Sequence, residues 1–452
     1  MRNVFLIRAV FILSLCVSFQ VSANAADRRP ARIKKLAAKA EKAKGEVQRL
    51  ASEGYDVRKM LTLLQQFPKF LKKGRADKAE AVLDQVLMMA QKKQSAPAAS
   101  APHSAKPHNG RYKEFFISGE NAKYGIYDPS LEYAPDGTGW LVYSAVTRMP
   151  GGVNIRLAKS LDAGKTWQHV IPINEAVKGA VTAKGKIIDG TWANEVSTLV
   201  YDPEDSGREW KLFWHKYFVA RAQGSANNRM FSHGWIAYRH APDPEGPWSE
   251  EIALIGAGPY PVKPFRTQLN LKDLHSSLSQ YVVLTEPGSL SVGGALYLSF
   301  QAVATTRRGQ QRHDIILLAS PDHGRSWKYV NTLFRAKDAK PYGGEGFTGT
   351  SLVTERGRYF IMVCPENFSD ARSAHLGTVI FEFKDISKGL LKKDRRGIPA
   401  PIRHLKPELF RGGQSDYDQA NINGGIIMPQ SDISNYPRIF RLFNTNQKIL
   451  KQ

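Results

Sequence analysis

The stretch Ser160-Leu161-Asp162-Ala163-Gly164-Lys165-Thr166-Trp167 occurs a second time as Ser320-Pro321-Asp322-His323-Gly324-Arg325-Ser326-Trp327. Both copies follow the pattern S-x-D-x-G-x-[ST]-W, in which Asp and Gly favour a tight turn and Trp provides a large apolar anchor. A third stretch, Ala241 to Trp248, keeps the Asp, Gly and Trp at the same spacing. We interpret it as a degenerate copy, so the chain contains a repeated unit.

The segments around these turns are short runs rich in β-branched and aromatic residues, which are typical of strands. Aligned on the turns, they form five units between residues 111 and 452, opening at Ile126, Asn194, Thr285, Thr348 and Ala420. Radial repetition of four-stranded sheets is typical of a propeller. We therefore predict an all-β five-bladed β-propeller. The long segment from Ile255 to Thr285 leaves a six-bladed propeller as the alternative.

The repeated turn resembles the Asp-box of sialidases and related β-propellers. In that family the box joins the outer strands of a blade. The resemblance implies that the boxes set the blade period and lie away from the propeller axis.

The part of the chain before the propeller differs in composition. Residues 1 to 25 resemble a secretory signal peptide, with an apolar run from Ala9 to Phe19 and a cleavage motif at residues 23 to 25. Residues 26 to 94 favour helix, with breaks near Gly54 and Gly74, and residues 95 to 110 form a Pro, Ala and Ser linker. The sequence thus predicts an exported protein, periplasmic or extracellular, with a small α-helical arm.

Charge is concentrated in this arm. The formal net charge is +23, and residues 26 to 111 hold 20 Lys and Arg against 8 Asp and Glu. These charges are either the solvated face of a helical bundle or coiled coil, or a contact to an anionic envelope surface. The arm could also form an oligomer. Nucleic acid is not an expected partner, because the arm lacks interleaved aromatic residues.

The innermost strands of a propeller line its central cavity, so we expect a residue at the opening of each unit to face that cavity. These residues are Asp128, Glu195, Glu286, Thr348 and Asn421. Carboxyl groups that share a pocket raise one another's pKa, which lets one act as an acid while another stays ionised. Glycoside hydrolysis needs such a pair.

Two motifs resemble those of the five-bladed propeller glycoside hydrolases, families 43, 32 and 62. Tyr127-Asp128-Pro129-Ser130-Leu131 is similar to the first-blade motif that carries the catalytic base, and Glu286-Pro287-Gly288-Ser289-Leu290 is similar to the stretch that carries the general acid. Glu195 stands where the family has an aspartate that tunes the acid, and Asp189 is a rival for this role. The resemblance implies catalysis by Asp128, Glu195 and Glu286, with an inverting mechanism favoured.

Other residues are candidates for contacts to a sugar. The substrate-binding candidates are Tyr124, Trp192, His215, Arg229, His233 and Tyr342. Each has an alternative: tryptophan packs as a plug, histidine lies satisfied in a core, and the three acids serve as turn residues or ion-pair partners of Arg229 or Lys216. No ligand spacing predicts a metal site or a cofactor, although the family resemblance leaves a structural calcium ion open.

These observations predict an exported glycoside hydrolase that cleaves an oligo- or polysaccharide by carboxylate acid/base catalysis. The alternative is a non-catalytic propeller that binds a glycan or another envelope component and is anchored by its helical arm. A third hypothesis is a sialidase-like exo-glycosidase, which requires three arginines around a carboxylate. Candidates for these arginines are Arg148, Arg156, Arg229 and Arg266.

Overall fold

The computed structural model describes residues 29–52, 60, 63–64, 66–72, 74–94, 111–148, 151–183, 185–220, 229–257, 266–305, 311–368, 375–409, 412–421, 424–432 and 439–450. They fall into two compact units, one within Met1–Pro107 and the other within His108–Gln452. The predicted signal peptide and the Pro, Ala and Ser linker lie outside the described residues. Within the described residues, no helix is long and apolar enough to cross a membrane.

The first unit is helical, with α1 (Arg29–Ser52), α2 (Phe67–Lys72) and α3 (Ala76–Gln94). Its core is formed by small and aliphatic side chains at spacings of three and four, including Leu36, Ala40, Ala43, Val47, Ala79, Val82, Leu83, Val86 and Ala90. Lys39 bridges α1 to α3 through Asp84 at 2.6 Å. The predicted helical arm is confirmed.

The second unit is a five-bladed propeller. Two short strands, β1 (Lys113–Phe115) and β2 (Ile117–Ser118), precede blade 1, which contains β3 (Ile126–Tyr133), β4 (Gly139–Arg148), β5 (Gly152–Ser160) and β6 (Trp167–Asn174). Blade 2 contains β7 (Val177–Ala183), β8 (Lys186–Tyr201), β9 (Trp210–Ala220), β10 (Arg229–Ala241), β11 (Ile252–Gly256) and β12 (Leu269–Asn270). Helix α4 (Leu271–Leu274) and a 3-10 turn (Ser276–Leu278) lead into blade 3.

Blade 3 contains β13 (Tyr281–Val292), β14 (Ala295–Thr305), β15 (Gln311–Ser320) and β16 (Lys328–Phe334), followed by a 3-10 helix (Ala336–Tyr342). Blade 4 contains β17 (Gly346–Glu355), β18 (Arg358–Glu366), β19 (Thr378–Asp385), β20 (Leu390–Leu391) and β21 (Pro401–Leu405), with a 3-10 turn at Ile386–Lys388. Blade 5 contains β22 (Asp416–Tyr417), β23 (Ile426–Asp432) and β24 (Ile439–Asn444). The prediction of five blades is confirmed, and the segment from 255 to 285 adds β12 to blade 2 rather than a sixth blade.

Blade 5 is completed by β1, a strand from the N-terminal part of the propeller unit. Its order is β1-β24-β23-β22, and Lys113 pairs with Asn444 in an antiparallel register. The backbone N–H groups of Arg111 and Tyr112 donate to the Glu408 carboxylate at 2.9 and 3.0 Å, which fixes the chain just before β1. The ring is thus closed by residues far apart in sequence.

The two Asp-boxes lie between the third and fourth strands of blades 1 and 3, and we call this side of the propeller the Asp-box end. In the first box, Thr166 N and Thr166 Oγ1 donate to Asp162 at 2.9 and 2.7 Å, and Gly164 N donates to Ser160 Oγ at 2.9 Å. Trp167 is buried and its Nε1 donates to Gly164 O. The second box repeats the bonds of the Asp, Ser and Gly residues. We call the opposite side, where the innermost strands begin, the opening end.

Side chains near the axis tie neighbouring blades together. The bonds are Leu199 N to Ser130 Oγ, Ser289 N to Thr198 Oγ1, Ser299 Oγ to Thr350 Oγ1, Ser351 Oγ to Ser415 O, and Leu131 N to Asp416 Oδ2, at 2.6 to 3.0 Å. Every pair of adjacent blades is joined by one of these bonds. They fix the innermost strands, on which the candidate site is built.

The prediction for the start of blade 5 is wrong. The innermost strand is Asp416–Tyr417, not the segment opening at Ala420. Asn421 lies at the Asp-box end, where its Nδ2 donates to Gly164 O at 2.9 Å. Asn421 therefore belongs to the support of the first Asp-box and not to the opening end.

Candidate active site

The innermost strands of blades 1 to 4 each contain a β-bulge in their part nearer the opening end. The register with the second strand shifts after Tyr127, Glu195, Thr285 and Thr348 in blades 1 to 4. The residue that follows has positive φ in each blade: Asp128 at 50°, Val196 at 51°, Glu286 at 57° and Gly349 at 55°. Glycine adopts this conformation without cost, whereas the other three residues are strained by about 1 to 3 kcal/mol each.

This geometry corrects the expected alignment of the blades. Asp128 and Glu286 occupy equivalent bulge positions, but the equivalent residue of blade 2 is Val196. Glu195 lies one residue earlier, in the position of Tyr127 in blade 1. Sequence alignment alone missed the shift because the length of the bulge differs between blades.

Asp128 is 4% exposed and lies where blades 1, 2 and 5 approach one another. Ser144 Oγ donates to Asp128 Oδ2 at 3.3 Å and accepts from Val196 N at 3.0 Å. A Cβ atom added to Gly413 of blade 5 would lie 3.8 Å from Asp128 Oδ1. One serine hydroxyl therefore couples Asp128 to the bulge of blade 2.

Glu195 is buried beside the first blade. The hydroxyl of Tyr127 donates a hydrogen bond to Glu195 Oε1. Glu195 is the cross-strand neighbour of His215, whose ring stacks on Tyr217 at 4.8 Å. Glu195 thus contacts the residue next to Asp128 on one side and faces a buried histidine on the other.

Glu286 is half-buried and is fixed by the neighbouring blade. Its Oε2 accepts from Gly349 N at 2.5 Å, and its backbone oxygen accepts from Thr350 Oγ1 at 3.0 Å. Holding Oε2 in this way orients the carboxyl group.

A cysteine, a histidine and a second glutamate lie next to Glu286, and sequence reasoning missed them as a group. Burial raises the pKa of the Cys364 thiol well above its usual range, and the carboxylates of Glu366 and Glu286 raise it further. Cys364 Sγ is 3.6 Å from His375 Nδ1, and His375 Nε2 is 3.7 Å from Glu366 Oε1. The blade 4 wall beside Glu286 is therefore rich in titratable groups. Eleven positions separate Cys364 from His375, so no local motif reveals them.

The predicted sugar contacts occupy different environments. Tyr124 is half-buried and packs against the apolar cluster that contains Tyr127, while Tyr342 packs between blades 3 and 4 against Phe347, Phe381 and His404. His233 is half-buried, and burial lowers its pKa. Arg229 begins β10, and its side chain lies outside the described residues.

Trp192 and His215 lie deeper than the other candidates. Trp192 is 5% exposed and contacts the rings of Phe218 and Trp235, each at 5.1 Å. His215 is 2% exposed. Both side chains lie in the packed interior of blade 2 and support the strands that carry Glu195.

The other candidate acid and three of the candidate arginines have environments of their own. Asp189 is exposed on the β7–β8 hairpin, opposite Ala180. Arg156 forms an ion pair with Glu120, and Arg148 Nη2 donates to Thr191 Oγ1 at 3.3 Å. Arg266 is exposed. Arg156 is thus committed to a structural ion pair.

Two acids that the sequence did not single out lie farther along the axis. Glu132 and Asp416 line a small cavity of about 50 Å³ together with Ser130, Thr198, Ser289 and Ser351. Burial raises the pKa of Glu132 to about 8 and that of Asp416 to about 7. Their proximity adds to the shift of Glu132. Within the described residues, no group of three or more His, Cys, Asp or Glu side chains is placed to hold a metal ion.

Comparison with known proteins gives a likeness of shape only. No protein-family model matches the chain, and no curated protein matches it in sequence. A Hadza microbial sialidase aligns with 70% of this chain at 12% identity and a TM-score of 0.40, and the chain spans only 58% of that enzyme.

Two further structures are similar to the same degree. A family 117 glycoside hydrolase from the marine bacterium Zobellia galactanivorans aligns with 75% of this chain and 91% of its own, at 12% identity and a TM-score of 0.43. An α-L-arabinofuranosidase from Lactobacillus brevis aligns with 71% of this chain and 91% of its own, at 14% identity and a TM-score of 0.43. Likenesses this distant identify neither a family nor an activity, so the function must be argued from the residues at the opening end.

Proposed function

We propose that this protein is an exported glycoside hydrolase that cleaves an oligo- or polysaccharide at the opening end of the propeller. The observation that carries this proposal is the positive φ of Asp128 and Glu286 at equivalent bulges. Blade 4 has glycine at the same position, so the bulge itself does not require an acid. Strained residues of this kind cluster at active sites, where the surrounding structure holds them in place.

In the proposed mechanism, Asp128 is the general base and Glu286 is the general acid. Asp128 accepts a proton from a water molecule, whose oxygen attacks the anomeric carbon of the sugar. Glu286 donates a proton to the departing glycosidic oxygen. This inverting route requires carboxyl groups about 6.5 to 9.5 Å apart, which leaves room for the water molecule.

Glu195 is proposed to position the base rather than to react. It accepts a hydrogen bond from Tyr127, the residue before Asp128, so it restrains the backbone that carries the base. Tyr124, His233, Arg229 and Tyr342 are proposed to contact the sugar. Trp192 and His215 are proposed to act from the interior, by packing behind Glu195.

The test is a pair of substitutions that keep the shape of each side chain. Asp128→Asn and Glu286→Gln are expected to lower the initial rate of hydrolysis on a panel of glycans at least about 100-fold, because each removes one proton-transfer group. Circular dichroism and thermal melting check that both variants fold. If both variants retain the wild-type rate, this mechanism is wrong.

A non-catalytic propeller that binds glycan is the second candidate. It is favoured by the internal partners of the three acids, since Asp128, Glu195 and Glu286 each accept a hydrogen bond from the protein. In that case the wild-type protein hydrolyses no glycan on the panel, yet binds one of them.

Export and the role of the helical arm are part of the same proposal. Residues 1 to 25 are proposed to be removed on export to the periplasm or exterior, and the basic arm is proposed to contact an anionic envelope surface or to form an oligomer. N-terminal sequencing of the protein from fractionated cells tests the cleavage. A mature chain that still begins at Met1 would contradict it.

A further inference from the structure

A cationic cavity lies at the opening end beside blade 3. It has a volume of about 450 Å³ and is lined by Arg312, Arg335, Ala336, Lys337, Lys340 and Glu345. We propose that it binds an anionic group of the glycan, so that the substrate class is a polysaccharide bearing sulfate or carboxylate groups. This inference rests on the proposed glycan function.

The two arginines of the cavity are fixed from below by one buried acid. Asp314 is fully buried, and its Oδ2 accepts from Arg312 Nε at 3.0 Å and from Arg335 Nη1 at 3.1 Å. Tyr281 also donates to Oδ2 at 2.6 Å, and Ala336 N donates to Oδ1 at 3.0 Å. Because both oxygens of Asp314 are occupied, this acid orients the guanidinium groups but offers no further acceptor to the cavity.

The other nearby acids are also engaged. Asp338 accepts from Arg335 N at 2.7 Å, and Glu345 accepts from Phe368 N at 3.0 Å. Arg312 Nη2, by contrast, is buried and has no hydrogen-bond partner among the described residues. A buried guanidinium N–H without an acceptor is costly, and an oxyanion in the cavity would supply that acceptor.

The cavity adjoins β17, the strand whose Gly349 fixes the Glu286 carboxyl group. Glu345 N donates to Glu366 O at 2.8 Å, next to the first pair of the β17–β18 ladder. Gly349, which donates to Glu286, lies four positions after Glu345 in extended chain. This corresponds to about 13 Å along the strand. A polymer bound at Glu286 can therefore also reach the cavity, whereas a single small sugar cannot span both.

The chemistry of the lining favours a sulfated or carboxylated glycan over a nucleic acid. Arginine and lysine recognise both kinds of oxyanion. Among the described lining residues there is no aromatic ring on which a base could stack, and such stacking is a main contact in binding single strands.

The experiment measures binding, not hydrolysis, with the full-length protein. The double variant Lys337→Ala/Lys340→Ala is compared with Lys384→Ala/Lys393→Ala, which removes the same charge from exposed residues toward the Asp-box end of blade 4. The probes are dextran sulfate against dextran and polygalacturonate against its methyl ester, at physiological salt. Melting temperatures check that each variant folds.

We expect Lys337→Ala/Lys340→Ala to raise the Kd for dextran sulfate or polygalacturonate at least tenfold and the control pair to change it less than twofold. The probe that responds identifies the group as sulfate or carboxylate. The inference is overturned if neither pair changes the affinity, or if both lower it equally, which would indicate attraction by the overall charge. It is also overturned if only binding of poly(U) responds, or if inorganic sulfate alone displaces the glycan stoichiometrically.

This result is independent of the catalytic proposal. One outcome is that the protein cleaves neutral glycans only, while Lys337→Ala/Lys340→Ala binds polyanions as the wild type does. This outcome would contradict the anion-binding inference and would leave the proposed hydrolase function standing. If Lys337→Ala/Lys340→Ala specifically loses polyanion affinity but the wild-type protein cleaves no glycan, the anion-binding inference stands and the proposed hydrolase function is contradicted.

Discussion

The two ends of the propeller use aspartate and glutamate in opposite ways. At the Asp-box end, Asp162 accepts hydrogen bonds from its own turn, and the pKa of its carboxyl group is lowered to about 2, mainly by the Thr166 hydroxyl and backbone N–H. The pKa of Asp322 is also lowered to about 2, although burial opposes the shift. At the opening end, Asp128 and Glu286 lie on strained backbone and depend on neighbouring strands or blades for their partners. The box acids are thus stabilised within one turn, whereas Asp128 and Glu286 are held from neighbouring elements, as the catalytic proposal requires.

The largest effect on stability is expected at the Asp-box end. Trp167 is 3% exposed and anchors the first box, so Trp167→Ala should lower the free energy of unfolding by about 3 to 5 kcal/mol. Urea denaturation measures this loss, and the activity per folded molecule should not change. The matched control is Leu161→Ala in the same turn, where the side chain is 79% exposed. A loss below about 1 kcal/mol for Trp167→Ala would remove the distinction between the two ends.

The next effect concerns the strained bulges. Gly349→Ala should lower the free energy of unfolding by about 1 to 3 kcal/mol, since its φ is positive and the new Cβ would lie 3.0 Å from the Gln414 backbone. Gly357→Ala is the control, because it has φ of +70° and open space around its Cβ position. Gly357→Ala therefore measures the cost of positive φ alone, without a steric clash of the new Cβ atom.

Glu286→Gly makes the opposite change at the equivalent position. It removes the backbone strain, so stability should change by less than about 1 kcal/mol while hydrolysis is lost. Thermal melting and rate measurements on the same preparation test this. A strong destabilisation by Glu286→Gly would show that the side chain is a structural element of the blade.

A smaller effect is expected at the hydroxyl that joins blades 1 and 2. Ser144→Ala removes the hydrogen bond to Asp128 and leaves Val196 N without its acceptor. We expect kcat to fall about tenfold with little change in KM, because the base loses its orientation. Ser144→Thr retains a hydroxyl and should recover most of the rate. A failure of threonine to recover it would indicate that packing, not the hydrogen bond, is responsible.

The smallest effect is a dependence of stability on pH. The folded-state pKa of Asp162 lies below its usual value of 3.8, so the carboxylate stabilises the fold above about pH 4 and loses this contribution as the pH falls toward 2. Asp162→Asn should therefore lower the Tm at pH 7, and its difference from the wild type should shrink toward pH 2. Lys165→Gln in the same turn keeps the Asp162 carboxyl group, so its difference in Tm from the wild type should stay constant. A constant difference for Asp162→Asn would contradict the lowered pKa.

The blade period was predictable because its signals are local. An Asp-box is complete within eight residues, and its bonds link residues two to four apart. The strands around it have the composition that strands prefer. The helical arm was predictable for the same reason, from apolar residues at spacings of three and four.

The details of the site were not predictable, because they depend on geometry between blades. The bulge position of blade 2 is occupied by Val196 rather than Glu195, because the bulge of this blade differs in length from those of the other blades. The innermost strand of blade 5 has two paired residues, Asp416 and Tyr417, which is too short for a pattern to mark. The cationic cavity combines residues of β15 with those that follow β16, and only the path of the chain brings them together.

The pairing of β1 with β24 has a consequence for how this protein is made. Lys113 emerges from the ribosome roughly 330 residues before its partner Asn444. Contacts this distant in sequence form late, so β1 must wait as an unpaired edge until β24 has been synthesised. A product that stops before β24 cannot close the ring, and its exposed strand edges mark it for aggregation or proteolysis. The pairing of β1 with β24 therefore also distinguishes chains that contain β24 from chains that stop before it.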